Sequence, residues 1–186
     1  MTRAEFLDCL ERSPVIAAVK DNGWQSALSS PAEVIFYLKA NLLTVRERIA
    51  EAAAAGKTVF IHIDLADGIG KDKVGIEFLA ECGAHGVIST RQHLIGLAKE
   101  RGLLTVQRFF ALDSQGLASI GDMYGASQAD VFEIMPGVIP KVIQKFAENR
   151  VSVIAGGLIE SKHEVTTALQ SGASAVSTGK EELWYL

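Results

Sequence analysis

Hydrophobic residues fall along this chain into eight short runs, each bounded by polar or turn-forming residues. They are VIAAV (15–19), VIFYL (34–38), TVFIHI (58–63), GVIS (86–89), LLTVQRF (103–109), DVFEI (130–134), VSVIA (151–155) and SAVST (174–178). Most are rich in β-branched side chains and give way to Gly, Asp, Asn or Ser, a pattern that predicts buried strands. The segments between them carry helical spacing, as in TVRERIAEAAAAG, KVGIEFLAECG and KVIQKFAENR. Gly56 and Gly83 fit helix C-termini, where a left-handed backbone costs residues bearing a Cβ more than it costs glycine.

Strands that are apolar on both faces and alternate with helices predict a parallel sheet covered by helices. Eight such units favour a closed (β/α)8 barrel, an α/β fold of the TIM-barrel type, with residues 1–186 as a single domain. The average unit, about 23 residues, is shorter than the roughly 31 of a common barrel, so short helices are expected. Between the first two strands, KDNGWQSALSSPAE leaves so little room that a helix there is expected to be lost. No Gly-x-Gly-x-x-Gly follows the first strand, which counts against a dinucleotide-binding sheet.

Composition works mainly by exclusion. With 48% hydrophobic and 22% charged residues the chain is an ordinary globular one. Its net charge of −4 gives no bulk attraction to nucleic acid or to an anionic membrane. No apolar run approaches the ~20 residues of a spanning helix, and the N-terminal MTRAEFLDCLERSP lacks a signal core, so a soluble cytoplasmic protein is expected. Cys9 and Cys82 have no companions at metal-ligand spacing, and neither a metal nor a cofactor is expected.

Barrels of this type meet their ligands at the loops that follow the strands' C-terminal ends. The seventh strand leaves through Gly156-Gly157 and the eighth through Ser177-Thr178-Gly179. Glycines there let backbone N–H groups approach an anion unobstructed, and a following helix N-terminus would add partial positive charge. Two capping-box patterns, Ser161 with Glu164 and Thr178 with Glu181, mark helix starts. Ser161 reads as a helix cap, whereas Thr178 reads equally as a cap or an anion contact. The glycine pair itself admits a packing or turn reading.

Polar residues also stand in the strands. Alternation with period two places His62 and Asp64 on one face, as hydroxyl contacts or a charge-assisted pair, or with His62 as a satisfied core residue. Lys20 ends the first strand, Arg108 lies near the end of the fifth and Glu133 sits in the sixth. Charges in apolar strands are costly to bury alone, so they pair with one another, face a polar ligand, or do both. Asp67 and Thr90 read as turn and cap residues.

The blocks VFIHIDLADGIG, GVISTR, LLTVQRFFALDS, FEIMPGVIPKVI, VIAGGLIESK and AVSTGKEELW, in this order and spacing, resemble the glycerol-3-phosphate responsive antiterminators. That resemblance implies a (β/α)8 barrel that binds glycerol 3-phosphate and, when loaded, binds leader messenger RNA to prevent transcription termination, without catalysis. It places the phosphate at Gly156, Gly157, Thr178 and Gly179, and the glycerol moiety among the inner polar residues, where His62, Asp64, Arg108 and Glu133 fall in matching blocks. The chain departs from the family pattern at Gly179, where a serine is usual, and at LKANLL, where a glycine-containing exit is expected and Lys39 and Asn41 stand instead.

Two further readings stay open at this stage. A phosphosugar isomerase or aldolase on the same barrel would use Glu133 or Asp64 as base, His62 as acid and Lys20 as amine nucleophile. A scaffold without a ligand leaves the polar rim unexplained. For RNA, Lys141, Lys145 and Arg150 offer a small basic helix face, although an ordinary solvated surface is the simpler explanation of them. A homodimer would gather scattered basic residues onto one surface.

Overall fold

The computed structural model describes residues 1–20, 22–111, 127–148 and 152–186. Eight strands, β1 (Val15–Val19), β2 (Val34–Tyr37), β3 (Thr58–His62), β4 (Gly86–Ser89), β5 (Leu104–Phe110), β6 (Val131–Met135), β7 (Val153–Gly156) and β8 (Ala175–Thr178), close into a barrel in sequence order. Every neighbouring pair is parallel, including β1 with β8. This is the expected (β/α)8 architecture. The apolar runs meet the strands to within two residues; Val151, at the start of the seventh run, lies outside the described residues.

The helices are α1 (Arg3–Arg12), α2 (Trp24–Ser29), α3 (Val45–Ala54), α4 (Lys73–Glu81), α5 (Gln92–Glu100), α6 (Pro140–Ala147) and α7 (Lys162–Gln170), with 3-10 turns at Ile63–Leu65 and Glu181–Tyr185. Gly56 and Gly83, with φ of 69° and 88°, follow α3 and α4 as expected. The expectation of a lost helix after β1 is corrected: α2 occupies that interval in six residues. It is held by Trp24, which is buried beside Tyr37 and donates its indole N–H to Glu51. Helix α1 has no counterpart among the apolar runs. Its signature is local, a Thr2–Glu5 capping box followed by Phe6, Cys9 and Leu10 on one face.

Two apolar layers follow from the period-two alternation. Outward residues such as Ile35, Val59, Ile61, Val87 and Ala155 pack under the helices. Inward residues Ile16, Val34, Phe36, Phe60, Ile88, Val106, Val131, Ile154 and Ala175 fill the barrel, and Phe6, Cys9 and Leu10 of α1 pack with them in the same cluster. The inward series continues past this apolar filling toward the strands' C-terminal ends. Two residues on from Phe60, Val106, Val131, Ile154 and Ala175 stand His62, Arg108, Glu133, Gly156 and Ser177.

Candidate functional site

These inward positions form a polar layer above the apolar floor. Arg108 and Glu133 are register partners on β5 and β6, and the Arg108 Nε donates to Glu133 Oε2 at 2.6 Å. The side chains are 8% and 0% exposed, so the pair lies in a low-dielectric setting where each charge needs the other. Ser177 Oγ donates to Glu133 Oε1, also at 2.6 Å. Both carboxylate oxygens are thus engaged. Arg108 differs, because among the described residues no acceptor takes its two terminal nitrogens.

His62 completes the layer. It is 3% exposed, and among the described residues its buried Nδ1 has no hydrogen-bond partner. Burial, followed by the field of the Arg108 guanidinium, lowers its pKa to about 4, so the ring is neutral near pH 7. A neutral imidazole offers one donor and one acceptor. A buried polar atom left without a partner is uncommon enough to require a reason.

Asp64 lies beyond the strand, so the alternation that paired it with His62 no longer applies there, although each residue still feels the other's charge. Strand β3 ends at His62 and the chain turns into the 3-10 segment Ile63–Leu65, which breaks the two-residue period. Asp64 instead accepts from Ser89 Oγ (2.8 Å), Thr90 N–H (2.7 Å) and Thr90 Oγ1 (2.9 Å), with Arg91 Nε at 3.7 Å. Burial raises its pKa, but these bonds outweigh that effect and the carboxyl titrates below the usual aspartate range. Its geometry is that of a cap on the β4 exit.

The glycine exits divide in the same way. Gly156 faces inward between Glu133 and Ser177: a Cβ there would lie 2.5 Å from Glu133 Oε1 and 2.6 Å from Ser177 Oγ. Its missing side chain makes room for the polar layer. Gly157, with φ 75°, adopts the left-handed conformation and passes Met135 so closely that a Cβ would meet Met135 Cε at 2.5 Å. Among the described residues, no acceptor takes the N–H of Gly157 or of Gly179.

Thr178 points outward, donates its hydroxyl to the Ile159 carbonyl at 2.8 Å and accepts from Lys180 N–H at 3.1 Å. The predicted Thr178–Glu181 capping box is therefore corrected: β8 runs through Thr178, and a 3-10 turn rather than an α-helix follows it. After β7 the Ser161–Glu164 box is present, but α7 starts only at Lys162 and Glu164 already takes the N–H groups of Glu160 and Ser161. Lys20 stands exposed at the exit of β1.

Two residues escaped the sequence reading. Ser177 was passed over for Thr178, although counting by two from the inward Ala175 selects it. Gly137 donates its N–H to the carbonyls of Gly156 (2.6 Å) and Gly157 (3.1 Å), locking the β6 exit against the β7 exit. A Cβ on Gly137 would lie 2.8 Å from Gly156 N.

Residues 15–184 match the model of one family, the glycerol-3-phosphate responsive antiterminators. The chain belongs to this family. Its relatives include the uncharacterized protein YgcP of Escherichia coli (strain K12), 36% identical over 184 residues that cover 97% of this chain and 96% of that one. Among solved structures, the glycerol uptake operon antiterminator regulatory protein from Listeria monocytogenes str. 4b F2365 is 34% identical with a TM-score of 0.86, over 91% of this chain and 94% of the other. A glycerol uptake operon antiterminator-related protein from Thermotoga maritima is 33% identical with a TM-score of 0.83, over 92% and 98%. The match to the antiterminator family spans all eight strands, so the polar layer and both glycine exits lie inside it.

Proposed function

We propose that this antiterminator senses glycerol 3-phosphate at the mouth of its barrel and, when loaded, binds leader mRNA to prevent transcription termination in glycerol-metabolism operons. The observation that carries the reading is a set of donors around a buried polar layer that no described residue engages: the amides of Gly157 and Gly179 and the terminal nitrogens of Arg108. An alkyl phosphate needs several donors, and a glycerol moiety needs a mixture of donors and acceptors, which Arg108 and neutral His62 supply. Lys20 adds an exposed cation at the rim. Glu133, Ser177 and Gly156 position Arg108, while Asp64 and Thr178 build the β4 and β8 exits.

Regulation without turnover fits the same geometry. In the isomerase or aldolase alternative Glu133 or Asp64 acts as base, yet both carboxylates are engaged within the protein, Glu133 by Arg108 and Ser177 and Asp64 by Ser89 and Thr90. Lys20, the amine nucleophile of that alternative, is exposed rather than desolvated. Among the described residues no helix is long and apolar enough to cross a membrane. A cytoplasmic protein is the reading that accompanies an RNA target.

On the RNA side, family membership supports the partner. Lys141 and Lys145 are exposed and four apart on α6, so they share a helix face. Arg150 lies outside the described residues. A shift assay with a glycerol-operon leader RNA, with and without glycerol 3-phosphate, tests the reading: retention that requires the ligand supports it. Turnover of glycerol 3-phosphate or of a related three-carbon phosphate by the pure protein favours the enzyme instead.

A further inference from the structure

The β2 and β3 exits, where LKANLL departs from the family pattern, form a corner whose residues 39–43 and 65–75 include none of the polar layer. The two loops are stitched into one platform by the parallel bridge Asn41↔Asp67. Leu42 N–H donates to the Asp67 carbonyl at 2.9 Å, Asp67 N–H to the Ala40 carbonyl at 2.8 Å, and Leu43 N–H to Asn41 Oδ1 at 2.9 Å. Lys71 Nζ is held by the Ala66 and Ile69 carbonyls, and Asp72 caps α4 through Gly75 N–H. The platform is therefore ordered before anything docks on it.

Four large apolar side chains project from this support: Leu42 at 41%, Leu43 at 89%, Leu65 at 53% and Val74 at 76% exposure. They account for four of the nine strongly exposed large hydrophobic residues among those described. Leu42 and Val74 also line a groove of about 240 Å³ floored by Ile69 and Phe78. Removing such side chains from water is favourable in proportion to the apolar area covered. A cluster of them on fixed backbone marks an interaction surface.

We propose that this corner is the contact between two copies of the chain. Charge selects that occupant. A nucleic acid needs cations free to neutralise phosphates. Here Lys39 already faces Asp67 at 3.8 Å, Lys71 is bound to carbonyls, and Arg46 lies over the Phe78 ring at 5.8 Å, while the exposed Lys73 is offset by the exposed Asp72 next to it, too little positive charge to track a phosphate backbone. A strongly acidic or basic protein would meet a rim of both signs. A second copy related by a two-fold axis meets the same mixed rim, so Lys39 of one protomer faces Asp67 of its partner while the leucines pack at the centre. The long Lys39–Asp67 separation, with side chains 57% and 60% exposed, leaves both free to accept a second contact. A standard interface buries about 800 Å² per partner, so the charged rim takes part along with the apolar centre.

Sedimentation velocity on the full chain over a range of concentrations tests this. The wild type sediments as a species of twice the 19.9 kDa chain mass. Leu43→Glu alone, and Leu43→Glu with Val74→Glu, halve that mass with unchanged circular dichroism. These side chains make little of the fold, and the single variant keeps the test valid should the double one misfold. Leu158→Glu, on an exposed residue at the β7 exit, stays dimeric. Asp67→Lys weakens the dimer and Lys39→Asp with Asp67→Lys restores it. A wild type that is monomeric at every concentration, or a Leu43→Glu variant that remains dimeric, overturns the proposal. Neither result bears on the ligand reading, because Lys39, Leu43, Asp67 and Val74 are not among the residues assigned to glycerol 3-phosphate.

Discussion

Ser177 Oγ lies 2.6 Å from Glu133 Oε1, a hydrogen bond that joins β8 to β6 across the face of β7. It passes over Gly156, where any side chain would occupy its path. Because Glu133 also receives Arg108 from β5, one carboxylate ties together side chains from three of the four strands β5 to β8. The Arg108 guanidinium is thereby aimed from below at the mouth.

Removing one member of this layer leaves a buried charge without its partner. Arg108→Met is expected to destabilise the fold by about 3–5 kcal/mol, and replacing Arg108 and Glu133 together by apolar residues of similar volume to cost less than Arg108→Met alone. Urea unfolding of the single and double variants measures both. A double variant whose loss equals the sum of the two single losses contradicts the pairing.

Gly156 and Gly179 are expected to respond unequally to alanine. At Gly156 the added Cβ overpacks Glu133 and Ser177, a loss of about 1–3 kcal/mol. At Gly179 the nearest atom to the new Cβ is the Ala18 carbonyl oxygen at 3.5 Å, an ordinary contact, so stability changes by no more than about 0.5 kcal/mol. Gly157 is a poorer probe than its sequence position suggests. Its left-handed φ and the nearby Met135 strain any substitution there, whatever becomes of the ligand. Melting temperatures of Gly156→Ala and Gly179→Ala decide the matter, and equal losses refute it.

The fold was largely legible because the barrel writes its strands as apolar runs, and β1 to β8 fall on those runs. Arg108 and Glu133 were legible too, since charge inside an apolar strand has few explanations. Asp64 misled because alternation holds only while the strand lasts, and β3 stops two residues earlier. The Thr178–Ser177 exchange has a similar origin. Thr178 resembles a helix cap in sequence, whereas orientation relative to the barrel axis follows only from which neighbours point inward. Helix α2 and the lock at Gly137 depend on tertiary contacts, with Tyr37 and Glu51 in one case and the β7 exit in the other, and no local pattern encodes them.

Acid sensitivity follows from His62. Its folded pKa of about 4 lies below the ordinary value of 6.5, so the unfolded chain binds the proton more readily. The stabilisation is complete above pH 6.5 and is lost as pH falls from there toward 4, by about 3 kcal/mol in all. His85, also lowered by burial, acts in the same sense and sets a background slope. In His62→Asn the dependence of stability on pH between 6.5 and 4 is expected to flatten toward that background. An unchanged slope contradicts a buried neutral His62.

The most direct test of the phosphate-anchored site is the melting temperature with glycerol 3-phosphate and with glycerol. Preferential binding to the folded chain stabilises it by about 2.7 kcal/mol at a hundredfold excess of ligand over Kd, a rise on the order of 5–10 °C for a chain of this size. The account predicts that rise with glycerol 3-phosphate, almost none with glycerol, and its loss in Arg108→Met measured against that variant's own baseline. Equal shifts with the two compounds, or no shift with either, would contradict an anion site at the mouth of this barrel.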